Sequence, residues 1–402
     1  MIPLFAHVPV ITGMGTISAG GKNVEQLWQS ALQRRVKVEQ YKLKKSHIKL
    51  PVYRAELPEL SSKDRYLIRQ ADRTSQLLLA AAREAWEAAL LTKETYPSDR
   101  IGIIIGSSRG PTSIQEEHLL SSEKKPSSAV YSTCSSMAGI LATAFSIEGP
   151  SFAVASTCTS GATALAMGNQ LLQSDVVDLV LVGGVDAPLT ESILEQYEAV
   201  GILSKQQDPS MALRPFDRDR SGTCLGEGAA VIILESEKLA QRRKVPILGK
   251  LNAVLLQGHP GRRASLDSQG TALQQVLKKS LKQSNLAPNQ ISSIHLHGTA
   301  TKQNDLIESH VVHTIFGNVL QQPITWANKS ITGHVLGASP LFQVILALKT
   351  MQHAWIPPIT NCDHLDPACK LRISHGEAIK SASVACLNSG FWGNVSSIVI
   401  SA

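Results

Sequence analysis

The stretch Ser151-Phe152-Ala153-Val154-Ala155-Ser156-Thr157-Cys158-Thr159-Ser160-Gly161 decides the architecture. It opens as a β-prone strand at 151–156, turns through small hydroxyl residues, and continues at 161–172 as a helix rich in Ala, Gly and Leu. A strand feeding directly into such a helix is the building unit of a layered α/β protein. Working outward, 100–106 (RIGIIIG), 178–183 (DLVLVG) and 229–234 read as further strands, and 72–91 as an Ala- and Leu-rich helix. A polar, basic connection at 235–244 leads to a second half. There 247–254, 293–297 and 396–401 read as strands, and 268–283, 306–315 and 337–351 as helices. Strands that are apolar almost throughout imply sheets covered on both faces. At 402 residues the chain exceeds what one core needs, so two units are expected, 1–244 and 245–402. No repeat is visible between them at the residue level.

Composition narrows the function. Hydrophobic residues make up 43% and charged residues 18%, enough to build a large core and too little charge for a disordered chain. No apolar run reaches the roughly 18 residues that cross a bilayer. The apolar start, 1–15, lacks a basic leader and a small-residue cleavage site, so 8–13 reads as a first strand rather than a signal peptide. The six cysteines, Cys134, Cys158, Cys224, Cys362, Cys369 and Cys386, are scattered, which suggests neither a disulfide framework nor a CxxC zinc site. A reducing, cytoplasmic setting is expected. The net charge of +7 comes from basic residues dispersed among acids, with no nucleic-acid module, so an acidic protein is the better-matched partner.

Cys158 stands at the turn between strand and helix, where unpaired N–H groups of a helix start favour an anion and lower a thiol's pKa. The competing reading is a buried structural cysteine. His297 ends a strand in His297-Gly298-Thr299-Ala300-Thr301, and Asn304, Asp305 and Glu308 then begin a helix whose dipole they complement. His295 and His297, two apart on one strand, could also be metal ligands, although no third ligand accompanies them. A third cluster is Asn328-Lys329-Ser330-Ile331-Thr332-Gly333-His334-Val335-Leu336-Gly337-Ala338.

Taken together these segments resemble the β-ketoacyl synthases, the fatty-acid condensing enzymes and type II polyketide ketosynthases. Ser156–Gly161 is similar to the family's nucleophile turn, 297–308 to its HGTxTxxNDxxE pattern, and 329–338 to KSxTGHxxGA. Val10-Ile11-Thr12-Gly13-Met14-Gly15, Asp72-Arg73, and the run from Arg214-Pro215-Phe216-Asp217 to Gly226-Glu227-Gly228 also match, so the resemblance covers nearly the whole chain.

The resemblance implies a thiolase fold, an α/β fold whose two similar halves stack as α-β-α-β-α layers. The nucleophile would lie in the first half and both histidines in the second. It implies an acyltransferase that holds an acyl group on Cys158, and condenses it with a decarboxylating malonyl thioester. His297 and His334 would steady the enolate oxygen, and Lys329 would hold the histidines' protonation and orientation. Thr299 and Thr301 would position the malonyl group. No metal or organic cofactor is implied. A thiolase is disfavoured, because its usual second cysteine is replaced by the two-histidine pattern. The implied partners are an acyl carrier protein, met by Lys63, Arg65 and Arg69, and a second chain in a homodimer or heterodimer; nucleic acid and membrane are not.

Three departures accompany the match. Gln343 stands where the family has a glutamate. The C-terminal loop reads Asn388-Ser389-Gly390-Phe391-Trp392-Gly393-Asn394, so the acyl-pocket gate falls on Trp392, or on Phe391 with a one-residue shift. The segment 255–267, which would shape the carrier entrance, looks altered. These departures favour a specialised, polyketide- or polyene-type pathway over fatty-acid elongation. They also keep open a non-catalytic partner resembling a chain-length factor, although such partners lack the cysteine.

Overall fold

A computed structural model describes residues 9–122, 125–260, 267–379 and 383–402. Ten strands form one continuous sheet: β1 (Pro9–Ser18), β2 (Ile101–Gly106), β3 (Ser151–Val154), β4 (Leu179–Asp186), β5 (Gly228–Ser236), β6 (Gly249–Gln257), β7 (Ser293–His295), β8 (Ile324–Trp326), β9 (Ser383–Ser389) and β10 (Val395–Ser401). Their spatial order is β8-β7-β9-β10-β6-β1-β5-β4-β2-β3. Each half therefore reads outward from the middle as its first, fifth, fourth, second and third strand. The directions match too: in each half the fifth strand runs antiparallel to both the first and the fourth, and the fourth, second and third are parallel. The halves are stitched by a short ladder between β1 and β6, at Val10 with Lys250 and Ile11 with Gly249.

Six helices make the remaining layers: α1 (Arg73–Ala88), α2 (Ser135–Phe145), α3 (Ser160–Gln173), α4 (Thr271–Gln283), α5 (Lys302–Phe316) and α6 (Ser339–His353). Period-two alternation divides the strands between two cores. Ile103, Ile105, Leu179 and Leu181 pack outward with α1 and α2. Ile104, Val180 and Val182 pack inward on α3 and α6. On the far side α4 covers β6 and β10 and meets α5. The result is five layers, α-β-α-β-α. Helix α6 lies in the middle one and is apolar around its circumference, with Leu341, Phe342, Val344, Ile345, Leu346 and Leu348 fully buried, as a helix enclosed by two sheets requires. Each such side chain contributes about 1.5–3 kcal/mol by leaving water.

The structure corrects several expectations. The 235–244 connection is no linker: Glu235 and Ser236 end β5, and Glu237–Arg243 is a helix. Glu235 is fully buried and accepts from Thr12 Oγ1, from Tyr96 OH at 2.7 Å and from Arg243 Nη2 at 2.8 Å. A charged residue saturated with donors is compatible with a core, and composition alone does not reveal those donors. The reading of 293–297 as strand runs too long. β7 stops at His295, so His297 lies beyond it rather than beside His295 on one face. Val8 and 261–266 lie outside the described residues, which leaves only the ends of the 255–267 segment in view.

Candidate active site

All three motif-bearing loops meet where the parallel strands end, the usual place for a site in α/β layers. β3 ends at Val154, and the chain reaches Cys158 through Thr157, a β-branched residue held in the left-handed region at φ 54°. That costly conformation turns Cys158 toward the cavity just before α3 begins. The close fit extends to Gly161, where a Cβ would come 2.9 Å from the Gly337 carbonyl oxygen. The nucleophile turn and the His334 loop thus touch backbone to backbone.

Cys158 Sγ lies 3.3 Å from His334 Nε2. The His297 and His334 rings stand nearly perpendicular, with centres 5.2 Å apart. Cys158, His297 and His334 can bring one sulfur and two nitrogens within 4.8 Å of one another. That spacing would also suit a soft metal ion, but the Lys329 ammonium against His297 opposes further positive charge there. His295 stands apart: its Nε2 is 3.0 Å from Asn328 Oδ1 and its ring packs on Trp326.

Lys329 is buried, with Nζ 3.3 Å from His297 Nδ1 and donating to the His297 carbonyl. An ammonium only donates, so His297 Nδ1 accepts and its proton resides on Nε2. His334 Nδ1 lies 3.3 Å from the Ser339 hydroxyl, which donates or accepts and so permits either tautomer. Burial, reinforced by the Lys329 charge, pushes both imidazoles well below the ordinary histidine range, so both are neutral. Burial also pushes the Cys158 thiol up to about 12, against the opposing pull of Lys329 and Arg109. This reverses the expectation of a lowered thiol, because desolvation of the sulfur outweighs the helix start.

Asp305 stands in the first turn of α5, as the sequence suggested, and both it and Glu308 also bind the loops beside the site. Glu308 accepts from the backbone N–H of His297 at 2.6 Å and of Gly298 at 2.7 Å, and from Asn304 Nδ2 at 2.8 Å. Burial raises its carboxyl while depressing Lys329, and each charge partly offsets the other's shift. Asp305 accepts from Phe216 N and faces Arg220 at 3.4 Å, bracing the 214–217 loop. Gln343 donates from one amide nitrogen to the carbonyls of Leu296 (2.8 Å) and Leu387 (3.2 Å).

These groups open onto a cavity of about 320 Å³ lined by Cys158, His297, His334, Thr299, Thr301, Tyr197 and Phe391, among others. The Thr299 and Thr301 hydroxyls are 2.9 Å apart. Of the two gate candidates, Phe391 lines the cavity and stacks on Tyr197, with ring centres 6.2 Å apart. Trp392 takes a left-handed φ of 63°, is 65% exposed and is not among the residues that line this cavity. The loop is pressed onto the nucleophile turn: a Cβ on Gly390 would fall 2.2 Å from Thr157 Oγ1. Lys63, Arg65 and Arg69 are exposed on and beside the helix Ser62–Ile68, with Arg69 over the Tyr66 ring.

The sequence reading passed over Asp186, Ser339, Tyr197 and Arg109. Asp186, at the end of β4, is buried and takes N–H groups from Ser108, Arg109 and Gly337 and the Ser107 hydroxyl. It ties the loop after β2 to the turn following His334. A carboxylate closing an apolar strand at its C-terminal end was the available signal.

Comparison with known proteins agrees with this arrangement. The family model described as "Beta-ketoacyl synthase, N-terminal domain" matches residues 9–240, and "Beta-ketoacyl synthase, C-terminal domain" matches 255–363. The chain is 26% identical to 3-oxoacyl-[acyl-carrier-protein] synthase 2 of Coxiella burnetii, over 98% of both chains. It is 28% identical to the actinorhodin polyketide putative beta-ketoacyl synthase 1 of Streptomyces coelicolor, over 97% of this chain and 88% of that one. Among solved structures, a type II PKS acyl-carrier protein in complex with its ketosynthase superposes with a TM-score of 0.89, 25% identity and coverage of 98% and 99%. The ishigamide ketosynthase/chain length factor gives a TM-score of 0.88 at 24% identity, over 98% and 99%, a likeness of fold. With both family domains matched in order across the five layers, the chain belongs to the β-ketoacyl synthases, acyltransferases of the thiolase fold.

Proposed function

We propose that this chain catalyses a decarboxylative Claisen condensation, with Cys158 as nucleophile, His297 and His334 as enolate-oxygen donors and Lys329 as the group that sets their protonation. The observation that carries this reading is the convergence of one sulfur and two imidazole nitrogens within 4.8 Å at the cavity wall. In the first half-reaction, His334 Nε2 takes the thiol proton as the sulfur attacks the acyl thioester. The carrier's sulfur leaves and receives that proton. In the second, the malonyl C–CO2 bond breaks, carbon dioxide departs, and the electron pair passes to the thioester oxygen. The His297 Nε2–H donates to that oxygen, joined by His334 Nε2–H once the His334 tautomer has switched to leave Nδ1 accepting from the Ser339 hydroxyl. The enolate carbon then bonds to the acyl carbonyl carbon, the Cys158 C–S bond breaks, and the sulfur takes the His334 Nε2 proton as Nδ1 regains one, the proton consumed overall entering from solvent. Thr299 and Thr301 hold the malonyl group, and Phe391 gates the acyl side.

The substrate donor is an acyl carrier protein, docked through Lys63, Arg65 and Arg69, and the protein pairs with itself or with a related chain. Residues 1–244 and 245–402 act as the two units. Gln343 and the changed 388–394 loop favour specialised biosynthesis over housekeeping fatty-acid elongation, while relatives of both kinds match the chain at similar identity. Among the described residues no helix is long and apolar enough to cross a membrane, which accords with a cytoplasmic enzyme. A non-catalytic chain-length-factor role is disfavoured, because Cys158, His297, Lys329 and His334 are present together and in register.

Intact-mass measurement after mixing with acyl-loaded carrier proteins, beside Cys158→Ala, tests the assignment. An acyl adduct on the wild type alone, followed by product on adding malonyl-carrier protein, is the expected result. No adduct across acyl lengths would transfer the weight to the non-catalytic role. Charge reversal at Arg65 and Arg69 should weaken carrier binding; unchanged affinity would make the patch incidental.

A further inference from the structure

Arg109 is a cation behind the Tyr197 wall of the cavity, and nothing in the condensation mechanism uses it. Its backbone is fixed where β2 ends, with its N–H 2.9 Å from Asp186 Oδ1, so the residue sits at the same edge of the sheet as Cys158. Its side chain then runs to Tyr197. The guanidinium carbon lies 5.2 Å from the Tyr197 ring centre, and Nη2 donates to the Tyr197 hydroxyl at 3.2 Å. Tyr197 is itself a wall of the cavity, together with Cys158 and Phe391.

The surroundings make this placement unusual. Cys158 and Tyr197 belong to an apolar cluster that includes Leu189, Ile193, Leu194, Leu203, Leu225 and Leu336. Arg109 forms no ion pair with any described residue. Its Nε is buried and meets no acceptor. Asp186, the anion nearest along this edge, already takes donors from Ser107, Ser108, Arg109 and Gly337, three of them backbone N–H groups, and offers the guanidinium no bond. A buried N–H without an acceptor is costly, and an alkyl chain at the Tyr197 end of the cavity would leave it unpaired. A chain carrying an oxygen there would satisfy the fork.

We infer that Arg109, backed by Tyr197, is a specificity-determining residue that selects acyl groups bearing an acceptor oxygen, a ketone or a carboxylate, several carbons from the thioester. The inference deepens the proposed function and rests on Cys158 as the acyl-carrying residue. It assigns the chain to substrates already oxygenated along their length, the products of earlier condensations left unreduced or of starters with a second acid group, and away from saturated alkyl chains.

The test compares N-acetylcysteamine thioesters of matched length: hexanoyl, 5-oxohexanoyl and the adipoyl half-thioester. The rate of Cys158 acylation is read by intact mass on the full-length protein. The oxygenated thioesters should acylate at least about tenfold faster than hexanoyl, as expected where a site built to bond an oxygen meets an analogue lacking it. Arg109→Met should bring the ratio to near one, and Arg109→Lys should keep part of it, more for the carboxylate than for the ketone. Tyr197→Phe should loosen the preference without abolishing it. Wild-type acylation by hexanoyl as fast as by the others, or a ratio unchanged in Arg109→Met, overturns the inference while leaving Cys158 in its role. No adduct from any thioester overturns both.

Discussion

Lys329 Nζ lies 3.3 Å from His297 Nδ1, and this contact determines which His297 nitrogen faces the substrate with a proton. With Nδ1 accepting, Nε2–H is the donor, and on the proposed mechanism the lysine acts on the enolate oxygen through the imidazole. Lys329→Ala and His297→Ala should therefore lose malonyl decarboxylation by about 10²–10³-fold, the usual cost of one oxyanion donor. Acylation of Cys158 should survive, because His334 alone contacts the sulfur. Carbon dioxide release and the acyl adduct, measured in one sample, separate the two; a parallel fall in both would refute the division of labour.

The thiol follows a different titration from that of an ion-paired cysteine. Burial holds it near 12 and both imidazoles are neutral, so the resting site contains no thiolate–imidazolium pair. Alkylation of Cys158 by iodoacetamide should rise about tenfold per pH unit from pH 7 to about pH 10, where a free thiol would already have levelled off. A plateau at neutral pH would instead require a pre-formed thiolate.

Glu308 sets the alkaline limit of condensation. Burial depresses Lys329, and the Glu308 charge pulls its proton affinity back up. Glu308→Gln removes that pull, so Lys329 loses its proton at lower pH. The alkaline limb of the condensation profile should move to lower pH, while the pH dependence of Cys158 acylation stays in place. An unmoved limb would detach Glu308 from the lysine.

Gln343 uses its amide as a double donor to Leu296 and Leu387, which a carboxylate cannot imitate. Gln343→Glu should destabilise the protein by about 1–3 kcal/mol at neutral pH. The sign with pH follows from burial: the introduced carboxyl has a raised folded-state pKa. The deficit should therefore shrink as pH falls and the protonated form regains one donor. Denaturant unfolding at pH 5.5 and pH 8 measures this, and an equal deficit at both would contradict it.

Phe391 and Trp392 should separate in mutagenesis. Phe391→Ala should change the acyl-length preference by roughly an order of magnitude, since the ring lines the cavity against Tyr197. Trp392→Ala, at an exposed position, should leave it unchanged.

What the sequence disclosed and what it hid divide along physical lines. Cys158, His297, Lys329 and His334 were legible because each sits in a short run whose neighbours are constrained by tight turns at strand ends. The duplicated half was not legible in residues, since strand order repeats without side chains repeating; only the two ladders' directions reveal it. Glu235 was misjudged because its donors Thr12 and Tyr96 lie far away in the chain. Asp305 and Glu308 are placed on α5 by the sequence, but their bracing role is hidden there, because their partners come from the 216 and 297 loops. Arg109 carries no local pattern, and only the fold brings it behind Tyr197.

Thr157 occupies a backbone conformation that a β-branched side chain resists, and its hydroxyl is 3.4 Å from the Phe391 carbonyl. Gly390 admits that hydroxyl only by lacking a side chain. One hydrogen bond therefore couples a spring under the sulfur to the loop that sorts acyl chains. On the proposed function, selectivity and reactivity are mechanically linked through that bond. A substitution that re-cuts the loop for a new substrate also re-aims the nucleophile, and changes at 390–394 that succeed will be those that leave the Phe391 carbonyl where it is.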